Sequence, residues 1–213
     1  MRRVAKIRLA AQKKSLHAAE RDSERVTARR VEYRGAISGI DLSKFKFLDE
    51  AGSNLAMTRL YGRAAKGERV VDSAPQNYGE NITMLAALSL SGITAPMTIS
   101  GAVDGEVFKI YVEQILAPTL KSGDIVVMDN LPAHKVKGIE ELIQARGARL
   151  IYLPPYSPDF NPIEKCWSKI KTYLRAAKAR TRAELEKALA EALLLVSSKD
   201  AIGWFKCCGY AIH

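Results

Sequence analysis

The 213-residue chain is 47% hydrophobic and 26% charged, enough for one sizeable core but cramped for two independent domains. No window approaches the roughly 18 consecutive apolar residues of a membrane span, and the basic amino terminus runs into polar sequence rather than an apolar signal core, which places the protein in the cytoplasm. The formal charge is +10, and the excess is clustered: residues 1–30 hold ten Lys or Arg against three Asp or Glu, and residues 165–187 hold eight against two.

Clustered positive charge suits nucleic-acid phosphates, whose neutralisation releases condensed counterions, and it equally suits a solvated, solubilising surface. Three cysteines, Cys166, Cys207 and Cys208, make neither an even disulfide framework nor a CxxC metal site, so free thiols are expected.

Residues 1–40 are charged and sparse in apolar positions, and predict a helix or two of marginal stability in an arm or the end of another module. FKFLD, 45–49, predicts a short strand ending in an acid. Residues 60–71 carry turn signals at Tyr61-Gly62 and Lys66-Gly67, then a strand-like ERVV. Residues 81–100 predict two strands joined at Ser91-Gly92.

From Gly105, the spacing of Val107, Ile110, Tyr111 and Ile115 predicts a helix stopped by Pro118. DIVVMDN, 124–130, is a nearly continuous apolar run bounded by acids, the mark of a strand buried on both faces. A helix is expected at about 136–146, closed by Gly147, and then a strand at 149–153.

A proline-rich segment follows, and then a helix from Pro162, with Ile163, Trp167, Ile170 and Leu174 on one face. The last expected helix starts at Thr181, where TRAE is a capping box and Leu185, Leu189, Ala192 and Val196 form the stripe. The alternation predicts an α/β sandwich around a mixed sheet.

That order places three carboxylates where backbone geometry can bring them together: Asp49 ending the first strand, Asp129 ending the buried strand, and Glu164 in the first turn of the helix after the last strand. Converging carboxylates repel one another unless a cation compensates them. Magnesium, a hard oxygen-loving ion, does so, and two such ions about 3.5–4 Å apart clamp the attacking and leaving oxygens of a phosphoryl displacement. Zinc would need a Cys/His set that three scattered histidines do not provide.

Each acid also has a structural reading. Asp49 and Glu50 can terminate a strand at the surface, Asp129 and Asn130 can open the turn before Pro132, and Asn161 to Glu164 fits the positions of a capping box.

FLDEAG, VVMDNLPAHK and LPPYSPDFNPIEKCWSKIK, in this order, closely resemble the catalytic domain of DDE transposases of the mariner superfamily, in its bacterial insertion-sequence branch. The similarity runs from about residue 43 to about 195, and the 34 residues between Asp129 and Glu164 match the spacing of that family's second and third acids. The resemblance implies an RNase H-like fold, a mixed central sheet flanked by helices, over residues 43–213, preceded by a basic, mostly helical arm over 1–42.

It implies that Asp49, Asp129 and Glu164 are the catalytic, metal-holding triad for two magnesium ions, with manganese able to substitute. His134 matches a histidine common after the second acid, and is expected to pack or to touch phosphate. The four prolines Pro154, Pro155, Pro158 and Pro162 would restrict the paths from strand to helix and so help to hold Glu164 in place.

The implied activity is DNA cleavage at the ends of an insertion sequence and strand transfer into target DNA, by a homodimer acting in the bacterial cytoplasm on the nucleoid. Alternatives are an RNase H-like nuclease without strand transfer and an inactive DNA-binding remnant. Lys165, Lys169, Lys171, Arg175 and Lys178 are expected to contact phosphates. Members of the family ordinarily carry helix-turn-helix modules before the catalytic domain, and only 48 residues precede Asp49; the expectation is a truncated remnant, a separated catalytic piece or one product of a split frame.

Overall fold

A computed structural model of the chain describes residues 18–211; the first part of the helical arm expected over residues 1–42 lies outside the described residues. Helix α1, Glu24–Ile37, is followed by strands β1, Phe45–Ser53, β2, Ile82–Ser89, and β3, Gly92–Ser100. Next come α2, Gly105–Tyr111, β4, Ile125–Met128, α3, Ile139–Gln144, and β5, Arg149–Tyr152. Helices α4, Pro162–Ala177, α5, Arg182–Leu194, and α6, Ser198–Cys207, complete the order.

The five strands form one mixed sheet in the order β3-β2-β1-β4-β5. The first three run as an antiparallel meander, whereas β4 and β5 run parallel to β1 because helical crossovers return the chain to the same edge. As its unbroken apolar run predicts, β4 is buried at every position.

Side-chain alternation divides the apolar residues into two layers. On one face Phe45, Phe47 and Val127 meet Ile163, Trp167, Ile170 and Leu174 of α4, together with Leu189 of α5 and Phe205 of α6. On the other face Leu48, Val126 and Met128 meet Phe108 and Tyr111 of α2 and Ile143 of α3. The predicted stripe of α4 is thus its core face; truncating the fully buried Ile170 to Ala would cost roughly 2–5 kcal/mol.

Several elements differ from the sequence expectation. Strand β1 does not end at Asp49 but runs to Ser53, because antiparallel pairing with β2 continues through Ser53↔Ile82. ERVV, 68–71, forms no strand, and residues 54–80 contribute nothing to the sheet; local β propensity without a partner strand does not make one. The helix expected at 136–146 shortens to α3, with the preceding residues Pro132–Lys135 in a 3-10 turn.

Beyond α2 the chain runs through a π-helical stretch, Val112–Leu116, into a 3-10 turn that contains Pro118. The Thr181 capping box is present, but a further helix, α6, follows it behind a second capping box between Ser197 and Asp200. All three cysteines are free. Among the described residues no helix is long and apolar enough to cross a membrane.

Helix α1 buries only Val26 and Tyr33, in line with its sparse apolar pattern. Polar and aromatic contacts hold it against the segment that precedes α4. Arg30 makes two hydrogen bonds to Asp159, at 2.7 and 3.0 Å, and one to Ser157 Oγ at 2.7 Å. Its guanidinium also lies 3.9 Å from the centre of the Phe160 ring, on which Tyr33 stacks. Tyr210 Oη donates to the Phe160 carbonyl at 2.7 Å and lies 2.8 Å from Tyr33 Oη.

Candidate active site

Strand register aligns the first two acids. In the parallel β1·β4 pair Phe45 faces Ile125, Lys46 faces Val126 and Phe47 faces Val127; the same register carried two residues further sets Asp49 level with Asp129. Pairing stops there, since β4 ends at Met128 while β1 continues along β2. The strands part at the carboxyl end of β4, the kind of crevice in which open α/β sheets bind ligands. Alternation puts Asp49 on the face of Phe45 and Phe47, the side covered by α4, whose first turn carries Glu164.

Asp49 is only 8% exposed. Its Oδ1 accepts the Glu50 N–H at 2.9 Å, and its Oδ2 lies 3.5 Å from Asn161 Nδ2. Burial, and then the charge of Glu164, push its pKa up to about 7; the Glu50 N–H opposes the rise, and the charges of Asp129 and Glu50 add to it. The surface-termination reading of Asp49 therefore fails, for the residue sits inside a strand and beneath a helix.

Asp129 is more open. Its Oδ1 accepts the Leu131 N–H at 2.9 Å, so the turn-opening role is real. The same oxygen lies 2.7 Å from His134 Nδ1, an ion-pair contact without the alignment of a hydrogen bond, while Oδ2 has no partner among the described residues. His134 is fully buried, with its ring centre 4.2 Å from that of Phe108 and its Nε2 2.9 Å from Glu50 Oε2.

Burial pulls the His134 pKa down, but Asp129 and Glu50 outweigh it and raise it to about 9, so the ring is an imidazolium at neutral pH. Burial likewise raises Asp129, and the His134 contact and the Leu131 N–H outweigh that effect to hold its carboxyl below the ordinary value. Of the two roles expected for His134, the structure shows packing; a buried ring presents no atom to phosphate.

Glu164 is exposed, and its carboxylate takes no hydrogen bond among the described residues. Asn161 is the N-cap but makes no side-chain cap bond; its amide points to Asp49 instead. The reciprocal bonds of a capping box are absent, which removes the purely structural reading of Glu164.

Asp129 and Glu164 line a cleft of about 540 Å³, together with Arg25 of α1 and with Tyr156 and its neighbouring prolines. Sequence reasoning missed Arg25, Asn161 and the Glu50–His134 link. Glu50 stood beside Asp49 in the chain, but its partner is 84 residues away and no local pattern announces the pair.

Two of the five basic residues assigned to phosphate are otherwise engaged. Lys169 bonds Asp200 at 2.7 Å and the Leu195 carbonyl at 2.8 Å, and Lys178 bonds Asp72 at 2.6 Å. Lys165, Lys171 and Arg175 have no such partner among the described residues.

Among the described residues no group of three or more His, Cys, Asp or Glu side chains is gathered into a ready-made metal site. The donor chemistry nevertheless fits a hard divalent cation: the free oxygens are carboxylate oxygens, and the His134 imidazole is held by Glu50 and Asp129.

Residues 44–186 match the family described as DDE superfamily endonuclease. A curated relative, the transposable element Tcb2 transposase of Caenorhabditis briggsae, is 27% identical over 105 residues, which are 47% of this chain and 38% of the relative. The chain thus spans about two fifths of the length of that relative. The mariner Mos1 paired end complex with Mg superposes with a TM-score of 0.66 at 15% identity, over 96% of this chain and 65% of the other. The catalytic domain of Mos1 mariner transposase gives 0.63 at 13%, over 91% and 89%. These likenesses establish the RNase H-like fold.

Proposed function

The chain belongs to the DDE superfamily of endonucleases, and on that premise we propose that it is the catalytic portion of a mariner-type transposase, of the bacterial insertion-sequence branch. The observation that carries the reading is the register that sets Asp49 level with Asp129 beneath the helix bearing Glu164. The reaction is hydrolysis of a phosphodiester at each element end, leaving a 3′ hydroxyl, followed by attack of that hydroxyl on a phosphodiester of target DNA. DNA is accordingly the partner, the active form is a homodimer, and the place of action is the bacterial cytoplasm.

Asp49, Asp129 and Glu164 would hold two magnesium ions, or manganese in their place, and these ions, when bound, activate the attacking oxygen and stabilise the leaving one. Without a cation, burial and the charge of Glu164 hold the Asp49 proton up to about pH 7, so binding a cation there would release that proton. Glu50 and the His134 imidazolium fix Asp129 Oδ1 and leave Oδ2 free. Arg25, with Lys165, Lys171 and Arg175, supplies positive charge for the DNA backbone. The division into an arm over 1–42 and a catalytic domain over 43–213 belongs to the same proposal, with the contacts of Arg30 and Tyr33 supporting an arm laid against the catalytic domain.

The test is incubation of the chain with magnesium and DNA carrying the inverted repeats that flank its reading frame, with cleavage and strand transfer resolved on a gel. Both products should form, and Asp129→Asn should abolish both. Cleavage that survives Asp129→Asn would overturn the assignment.

A further inference from the structure

Among the described residues three non-glycine residues have positive φ: Ala95, Tyr156 and Lys178. Two have a local reason. Lys178 is the left-handed C-cap of α4, and Ala95 lies at the irregularity where the β2·β3 register shifts. Tyr156, at φ 54°, has none of that kind. It follows Pro155 at the centre of a turn and holds a left-handed φ there. Such a turn favours glycine or asparagine, and a bulky aromatic there is a steric outlier.

The side chain returns little to the fold for that conformation. Tyr156 is 47% exposed, and its hydroxyl and its ring have no hydrogen-bond or aromatic partner among the described residues. Its immediate neighbours, by contrast, are fixed. Ser157 Oγ donates to the Pro155 carbonyl at 3.0 Å and accepts from Arg30 at 2.7 Å, and prolines stand at 154, 155 and 158. The chain therefore presents a flat ring from a rigid turn, on the wall of the cleft that Asp129 and Glu164 line. Backbone outliers that the surroundings hold in place concentrate at ligand contacts.

We propose that Tyr156 is a base-stacking subsite, receiving the face of an unpaired nucleobase next to the phosphodiester to be cut. Stacking needs only a π-face, so the subsite takes any base and orients the strand without reading its sequence. This rests on the endonuclease reading above.

The experiment uses the full chain and a short single-stranded oligonucleotide carrying 2-aminopurine, in calcium, with magnesium-dependent cleavage of duplex DNA measured in parallel. The wild-type chain and Tyr156→Phe should change the fluorescence alike. Tyr156→Ala and Tyr156→Gly should lose that change and weaken binding by about five- to a hundredfold. Tyr156→Gly should also melt higher than Tyr156→Ala, because only glycine relieves the left-handed backbone.

A Tyr156→Phe variant that behaves like Tyr156→Ala would assign the hydroxyl instead and overturn stacking. A glycine variant that melts below the alanine variant would show that the conformation is not strained, and would remove the ground for the proposal. No fluorescence change with the wild-type chain also overturns the subsite; cleavage by that same chain would leave the endonuclease reading standing.

Discussion

The two sides of the candidate site place carboxylates by different physical means. On the sheet side, Asp49 and Asp129 are positioned by parallel register, and their surroundings are dense: Asp49 is buried with a raised pKa, and Asp129 is tied through a buried imidazolium to Glu50. On the helix side, Glu164 is exposed and unbonded, and its position depends on a proline-rich connector that α1 grips through Arg30, Asp159 and Phe160. On the sheet side Asp49 thus holds its charge at a cost to folding, whereas on the helix side nothing among the described residues bonds the Glu164 carboxylate. Substitutions on the two sides should separate stability from activity in opposite ways.

The largest contrast is expected at Asp49. Its pKa rises from 3.8 in the unfolded chain to about 7 in the folded one, a penalty on the ionised form of order 4 kcal/mol above pH 7. The folded state holds the proton more tightly, so the stability linked to Asp49 is full below about pH 4 and is lost as pH rises through 7. Asp49→Asn should therefore abolish cleavage yet raise the melting temperature of the metal-free protein at pH 8 by about 5 °C or more, with the gain gone at pH 4. Asn161 Oδ1, buried without a partner, becomes available to the new amide if the Asn161 amide reverses. Calorimetry across pH checks this, and a destabilised Asp49→Asn at pH 8 would refute it.

Glu164→Gln should lose cleavage as completely, by at least about a thousandfold, since metal-held charge is worth several kcal/mol in the transition state. Its melting temperature should stay within a few degrees of wild type, any change above pH 7 being a rise, because the repulsion between Glu164 and Asp49 is removed. A clear fall in melting temperature would restore a capping role to Glu164.

Loosening the connector should give an intermediate result. Arg30→Ala removes charged hydrogen bonds worth about 1–3 kcal/mol, which should lower the melting temperature by several degrees and reduce the cleavage rate without abolishing it. If thermal stability falls but the single-turnover rate is unchanged, the connector does not depend on α1 to place Glu164.

The smallest effect concerns charge along α4. Replacing Lys165 or Arg175 with Ala should flatten the slope of log affinity against log salt by about 0.9, and replacing Lys178, already paired with Asp72, should leave it unchanged. Dissociation constants across a salt series would distinguish them, and equal effects at all three would mean that DNA displaces Asp72.

The sequence by itself determined what local periodicity and backbone chemistry determine. The buried run of β4, the apolar stripe of α4, the hairpin of β2 and β3 and the Thr181 capping box were legible because each is encoded within a few consecutive residues. The three acids stood out as candidates for the same reason, as charges at the limits of such patterns.

The tertiary structure alone decided their states. Asp49 is mid-strand rather than terminal because β2 lies alongside it, and its proton affinity comes from burial and then from the charge of Glu164, more than a hundred residues later. The Glu50–His134–Asp129 link, the pairing of Lys169 and Lys178, and the failure of ERVV to find a partner strand all depend on which distant groups the packed chain brings within a few ångströms. Short-range patterns specify elements; desolvation and charge act through space, and space is assigned only when the elements pack.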